Sequence, residues 1–170
     1  LYDTQHFYEP VSTLVTNSAA IAAAEAKTLA GLQGYLMTDV IQAEHSYLLG
    51  TSGNYWVSGF EYSDGFKYNT GPNAGNAVTA SFWNAAEPNA ATNEPCIVSI
   101  DESYSNYGWA DYGCSATFKY VIEYGGMVGE APRSMIANST MSPDLEAPRV
   151  SAIAALTEDG FYIADDVIRV

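Results

Sequence analysis

Between Asn17 and Ala30 the chain runs Asn-Ser-Ala-Ala-Ile-Ala-Ala-Ala-Glu-Ala-Lys-Thr-Leu-Ala, with Ile21, Ala22, Glu25 and Leu29 at helical spacing. Polar capping residues at its start and the wealth of alanine predict a helix over this stretch. A second, shorter helix is predicted from a Thr38 or Asp39 cap to about Leu49, because Gly50 is the usual residue type just past a helix end. From Thr51 to Trp109 the helical period disappears and Gly, Asn, Ser, Tyr and Trp dominate. Such a texture predicts short strands joined by long, ordered loops. Structureless loops beyond about 15 residues are uncommon in compact domains and are usually functional, so a site is expected among them. Ala116 to Tyr124 alternates well enough to be a closing strand, stopped by Gly125-Gly126.

A first domain is therefore expected over residues 1–126. Residues 127–149 carry three prolines and no periodicity, the composition of a linker or a surface strap. Residues 150–170 read as two strands around an Asp159-Gly160 turn, too little chain to bury a core alone. This β tail must lead to, or pack with, a neighbouring module. Its texture resembles the opening strands of the β-sandwich repeats in bacterial surface adhesins.

Length and composition set the scale: 170 residues, 48% apolar, enough to close one ordinary core. Twenty acidic residues stand against six Lys and Arg, a formal charge of -14. A partner held by long-range attraction should then be a cation, not a nucleic acid or an anionic membrane. No run of 18 apolar residues occurs and the chain opens with neither a basic nor an apolar leader segment, so it reads as an internal fragment without membrane insertion. Cys96 and Cys114 are the two cysteines. As a disulfide they would contribute roughly 3 kcal/mol through chain entropy and would favour an oxidising, extracellular compartment; two separate buried thiols are the alternative.

The stretch Phe82-Trp83-Asn84-Ala85-Ala86-Glu87-Pro88-Asn89-Ala90-Ala91-Thr92-Asn93-Glu94-Pro95-Cys96, followed by Gly108-Trp109-Ala110-Asp111-Tyr112-Gly113-Cys114, resembles the C-type lectins. In that family a Glu-Pro-Asn triplet, a Glu two residues before a Cys and a Trp-Asn-Asp triplet before the next Cys build one calcium and sugar site. Glu87, Asn89, Glu94 and Asp111 fall on those positions. Trp56-Val57-Ser58-Gly59 is similar to the family's Trp-Ile-Gly-Leu core segment, and Gly34 to Thr38 with Glu44, Tyr47 and Leu48 is similar to its second-helix region. The resemblance covers roughly His6 to Gly126. It implies an α+β, C-type lectin-like fold: two helices on small, mostly antiparallel sheets, with a long loop region and then the short β tail.

The residue types make chemical sense on their own. Calcium takes six to eight oxygen ligands, and two Glu carboxylates, an Asn carbonyl and an Asp supply several while leaving positions for vicinal sugar hydroxyls. Glu87 and Glu94 can accept hydrogen bonds from those hydroxyls and the Asn89 amide can donate one. Proline lowers the cost of a cis peptide to about 0.5–1 kcal/mol, and the resemblance implies a cis bond before Pro88 that turns both flanking side chains toward one ion. In the family Glu-Pro-Asn accompanies mannose, fucose or N-acetylglucosamine and Gln-Pro-Asp accompanies galactose, so the resemblance leans toward mannose or fucose, and glycans carrying those sugars on a host or neighbouring cell are the implied partners.

Two departures from the pattern matter. Ala110 stands where the family has Asn, which removes one ligand; Asn93, Asp101, Asn106 or a water are the candidates to replace it. The family's other long disulfide has neither of its cysteines here. Trp83 and Trp109 are expected as packing, while Tyr104, Tyr107 and Tyr112 are candidates for the ligand rim. His6 and His45 have no second ligand at metal spacing and are expected to be structural. Asp101-Glu102-Ser103 fails the EF-hand pattern because Gly108 is at the eighth position instead of the sixth. No catalytic motif is present, so no enzymatic activity is expected. The sequence thus reads as the calcium-dependent, fucose- or mannose-binding adhesion module of a larger secreted or cell-surface protein, bacterial by its tail and composition. A calcium-independent lectin-like domain that binds a protein partner is the alternative.

Overall fold

The computed structural model describes residues 6–49, 53–79, 82–89, 93–102 and 106–130. The β tail at 150–170, most of the strap at 127–149 and Tyr104 lie outside the described residues.

Ten elements follow in chain order: β1 (Phe7–Val15), α1 (Asn17–Glu25), β2 (Thr28–Leu29), β3 (Leu32–Leu36), α2 (Gln42–Leu49), β4 (Tyr55–Tyr62), β5 (Gly65–Lys67), β6 (Cys96–Glu102), β7 (Asn106–Tyr112) and β8 (Phe118–Tyr124). The sheet runs β2-β3-β8-β4-β6-β7, with β1 pairing β8 and β5 pairing β4. All pairs are antiparallel except β4 with β8, where Tyr55 and Trp56 face Lys119 and Tyr120. The closing strand expected at 116–124 is thus the centre of the fold. β8 meets β1 at Phe7–Val11 and β3 at Gly34–Leu36.

Strand alternation sends neighbouring residues to opposite faces, and two core layers result. Phe7, Leu36, Trp56, Val98 and Ile122 pack with Ala20 and Ala24 of α1 on one side. On the other, Tyr8, Met37, Val57, Ile97, Trp109 and Val121 pack with Leu48 of α2. Phe82 and Trp83, from the long loop region, cover that second layer. The loops therefore sit on the α2 side of the sheet.

Both helices depart from expectation at one end. α1 stops at Glu25, five residues early, because Thr28 and Leu29 pair with Gln33 and Leu32 across a two-residue turn. Ala30 and Gly31 both adopt left-handed backbone there (φ 48° and 83°), the arrangement that matches the twist of a tight hairpin. α2 begins at Gln42, after both expected caps. Its first amides are met from within: the Glu44 carboxylate accepts from Val40 N–H (2.8 Å) and Ile41 N–H (3.2 Å). Thr38 and Asp39 are thereby released for other partners.

Cys96 and Cys114 form a disulfide across the end of the β6–β7 hairpin, where Cys96 faces Tyr112. The alternative of two separate thiols is excluded. Beyond Gly126 the chain folds back on the sheet, since Glu130 accepts hydrogen bonds from Gln33 N–H and Met127 N–H.

Candidate functional site

The loop from Phe82 to Asn89 is fastened to β7 at both ends. Trp109 N–H donates to Phe82 C=O (2.7 Å) and Asn84 N–H donates to Trp109 C=O (2.9 Å), so Trp83 runs beside Trp109 as one parallel bridge. This close approach needs Gly108: a Cβ there would fall 2.7 Å from Phe82 O and 2.9 Å from Asn84 N. The chain then turns, Glu87 N–H donating to Asn84 C=O (3.0 Å) with Ala86 in left-handed backbone. The Glu87-Pro88 peptide is cis. Beyond it, Asn89 N–H lies 3.1 Å from both Glu87 Oε2 and Asp111 Oδ1, and Asn89 Nδ2 donates to Glu87 Oε1 (3.3 Å).

Glu87, Asn89 and Asp111 are thus brought together. Asp111 is 3% exposed, opposite Ile97 in the β6–β7 ladder. Burial, and then the adjacent Asp111 carboxylate, push the Glu87 carboxyl above the usual range. The three described lysines stand elsewhere: Lys27 pairs with Glu9, Lys67 with Asp64, and Lys119 lies over the Tyr55 ring. Two carboxylates in contact, one of them buried, make a local demand for a cation. Oxygen-only donors of this kind suit a hard ion such as calcium.

Glu94 is placed less directly. It is half-buried, on the short segment that leads from Asn93 into Cys96 and β6. Its segment nevertheless arrives at the same end of β7, because Asn93 C=O comes 3.5 Å from the position of a Cβ on Gly113. Asn93 itself takes left-handed backbone (φ 78°) and is exposed.

Ala110 is 4% exposed and packs in the α1-side core, so its strand position faces away from Asp111. Of the candidates to replace the missing ligand, Asp101 and Asn106 are at the far end of the hairpin. Asp101 pairs with Tyr107, and Asn106 is five residues up β7 from Asp111, about 17 Å at roughly 3.4 Å per residue. Asn93 is at the correct end. Tyr112 alternates away from Asp111 and rests edge-on against Phe118 (5.2 Å), which removes it from the ligand rim.

Trp109 is 1% exposed and central to the packing, with Phe82 and Trp83 edge-on at 5.2 and 5.6 Å. His6 and His45 are both engaged with carboxylates. His45 Nδ1 donates to Asp39 Oδ2 (2.7 Å). His6 Nδ1 donates to Glu123 Oε1 (2.5 Å), with Glu44 Oε1 4.0 Å away. These last three offer ligand atoms within 4.8 Å of one another. Thr38 and Tyr8 complete that network, donating to Glu123 and Glu44 respectively. A fully buried Glu in β8 has one visible signal in the sequence, an acid set among the apolar residues of Tyr-Val-Ile-Glu-Tyr.

No family model matches the chain. It is 29% identical over 184 residues to halomucin of Haloquadratum walsbyi, and that match covers 98% of this chain but 2% of the relative. The chain therefore spans a small fraction of that protein's length. Among solved structures it is similar to the C-type lectin CEL-I from Cucumaria echinata, at 19% identity and TM-score 0.60 over 72% of this chain and 92% of that one. The C-type lectin domain of murine dendritic cell inhibitory receptor 2, solved with an N-glycan, is 19% identical at TM-score 0.57, covering 69% and 89%. A calcium-independent type II antifreeze protein is as similar, 19% identical at TM-score 0.58 over 70% and 85%. The chain has a C-type lectin-like fold. Among the described residues, no helix is long and apolar enough to cross a membrane.

Proposed function

We propose that this chain binds carbohydrate through one calcium ion held by Glu87, Asn89, Glu94 and Asp111. The observation that carries the reading is that Asn89, beyond the cis Pro88, donates to the carboxylates of both Glu87 and Asp111, with no described lysine beside them. A bound calcium would neutralise the pair and present open coordination positions to two vicinal hydroxyls. Glu-Pro-Asn favours terminal fucose or mannose, with Glu87 and Glu94 accepting from the hydroxyls and Asn89 donating. The likeness to a small part of halomucin fits a module within a longer protein, which we read as an adhesion module, and the disulfide suits an extracellular compartment. A single shallow site binds weakly, so such a parent gains by presenting several modules at once. A bacterial surface adhesin as that parent rests on the missing long disulfide, the acidic composition and the tail at 150–170, which lies outside the described residues.

Binding of a protein partner without calcium is the second reading. It is favoured by Ala110, which supplies no ligand, and by calcium-independent proteins of similar fold.

A glycan array probed with the full chain in millimolar calcium, and again in chelator, separates the two. Capture of fucosylated or mannosylated glycans in calcium alone is the expected result; no capture in either condition would favour the protein partner. The double variant Glu87→Gln, Asn89→Asp is expected to move preference toward galactose, and unchanged preference would place the sugar elsewhere.

A further inference from the structure

Asp39 is wholly buried between β3 and α2, and its backbone carbonyl accepts from Tyr68 OH (3.2 Å). Its Oδ2 accepts two hydrogen bonds, from His45 Nδ1 (2.7 Å) and from the Trp109 indole Nε1–H (2.8 Å), while Oδ1 has no partner. A buried carboxylate is costly wherever it stands, and an apolar residue would fill this space at less cost. What distinguishes the position is where its two donors lead. Trp109 carries on its own backbone both hydrogen bonds that fasten Phe82 and Asn84. The His45 ring lies flat on Phe82, centroids 4.3 Å apart and planes 7° from parallel. One oxygen atom therefore fixes the rotamers of the two rings against which the start of the site loop is laid.

We infer that Asp39, acting through His45 and Trp109, is a positioning residue for the Glu87–Asn89 loop and hence for the ion that loop would hold. The second half of this inference rests on the calcium reading above; the first half does not. Without the Asp39 acceptor the indole N–H is left buried and unpaired, which favours a turn of the Trp109 ring and releases Phe82 and Trp83 from its face. The Asn84 amide, hung from Trp109 C=O, and the Asn89 amide, hung from the Asp111 carboxylate, then lose their fixed support, and with Asn84 goes the Glu87 amide that donates to its carbonyl. Glu44 is the nearby carboxyl group that acts on Asp39 from α2, and it is already held by the Val40 and Ile41 amides at the helix start.

The test is amide hydrogen exchange on the full chain in chelator, read at Asn84, Glu87 and Asn89, followed by a calcium titration of the same samples. Asp39→Ala is expected to speed exchange at those three amides by about tenfold, since local opening governs their protection. Asp39→Asn, which keeps a neutral acceptor for the indole, should restore most of it. Val57→Ala, a truncation in the same core layer away from these hydrogen bonds, is the control for general loosening. If wild type binds calcium, Asp39→Ala should weaken that binding by about tenfold as well. Should wild type bind none, the calcium reading fails and the exchange data still decide the positioning role. Exchange at the three amides unchanged in folded Asp39→Ala, or raised equally in Val57→Ala, would overturn the inference. Where Asp39→Ala does not fold, His45→Phe replaces it: the ring still stacks on Phe82 but offers no N–H, and unchanged exchange there would be equally fatal.

Discussion

Replacing Asp111 by Asn should produce two opposite effects on stability, depending on calcium. In chelator the wild-type chain holds the buried Asp111 carboxylate against Glu87, whose own pKa is driven up by burial and by that neighbour. Two unit charges about 4 Å apart repel by about 1 kcal/mol in water and about 4 kcal/mol at an effective dielectric near 20. Part exposure of Glu87 puts the relief near the lower figure, roughly 1–2 kcal/mol. Asn keeps the oxygen that accepts from Asn89 N–H, so the variant loses little else. In calcium the balance reverses. An extracellular-type site with a Kd of about 0.1–1 mM adds about 1.4–2.7 kcal/mol to the wild type at 10 mM calcium, and Asp111→Asn forfeits most of it. Scanning calorimetry in EDTA and in 10 mM calcium should therefore show the variant melting a few degrees above wild type without the ion and a few degrees below with it. A variant that melts lower in both buffers would mean that Asp111 is a structural residue with a favourable partner, and the cation argument would fall.

Three further outcomes follow from other parts of the molecule. Gly108→Ala places a methyl 2.7 Å from Phe82 O, so the loop must lift from β7; a cost of about 1–3 kcal/mol is expected on melting, with weakened calcium binding and an intact disulfide. Burial lowers the pKa of His6, yet its hydrogen bond to Glu123 and the nearby Glu123, Glu44 and Glu130 charges outweigh this and raise it above 6.5. A raised folded-state value means stability fully present below about pH 6.5 and lost as pH climbs through the folded value, so the stability gap between wild type and His6→Asn should shrink between pH 6 and pH 9. A formal charge of -14 makes the folded chain self-repelling, and the Debye length falls from about 10 Å at 0.1 M salt to about 3 Å at 1 M. The melting temperature should rise over that range of NaCl; a fall would show that the acidic surface is already compensated.

How far the sequence could be read depended on the reach of each interaction. Glu87, Pro88, Asn89, Asp111 and the cysteines stand in short segments whose order along the chain carries the pattern, and the structure brings Glu87, Asn89 and Asp111 into hydrogen-bonded contact around the cis bond. The early end of α1 was not legible, since Ala30-Gly31 competes with a favourable helical composition only once β3 is there to pair with Thr28 and Leu29. Thr38 and Asp39 read as caps because those residue types cap; in the fold Glu44 does that work from three residues inside, and Asp39 turns to Trp109, 70 positions away. Contacts of that separation leave no local trace. The same holds for His6, which meets Glu123 only because β1 and β8 are neighbours.

That division explains why chains of this fold can be calcium-independent and why fold alone does not decide the present case. Both core layers are built from the sheet, α1 and α2, and neither needs Glu87, Asn89 or Glu94 to close. The loop region is an addition laid over one layer by Phe82, Trp83 and Trp109. A domain without an ion in that loop would therefore stay folded, and a chain with no cation to bind would be expected to shed the buried carboxylate at Asp111, which costs stability and serves no packing purpose. This chain keeps it, in contact with a second carboxylate and with Asn89 locked between them. It also holds a further buried carboxylate, Asp39, whose hydrogen bonds end on the two rings that carry the loop. Two costly acids, one at the site and one beneath it, are hard to account for in a loop that only covers a core; they fit a loop held rigid to receive a cation.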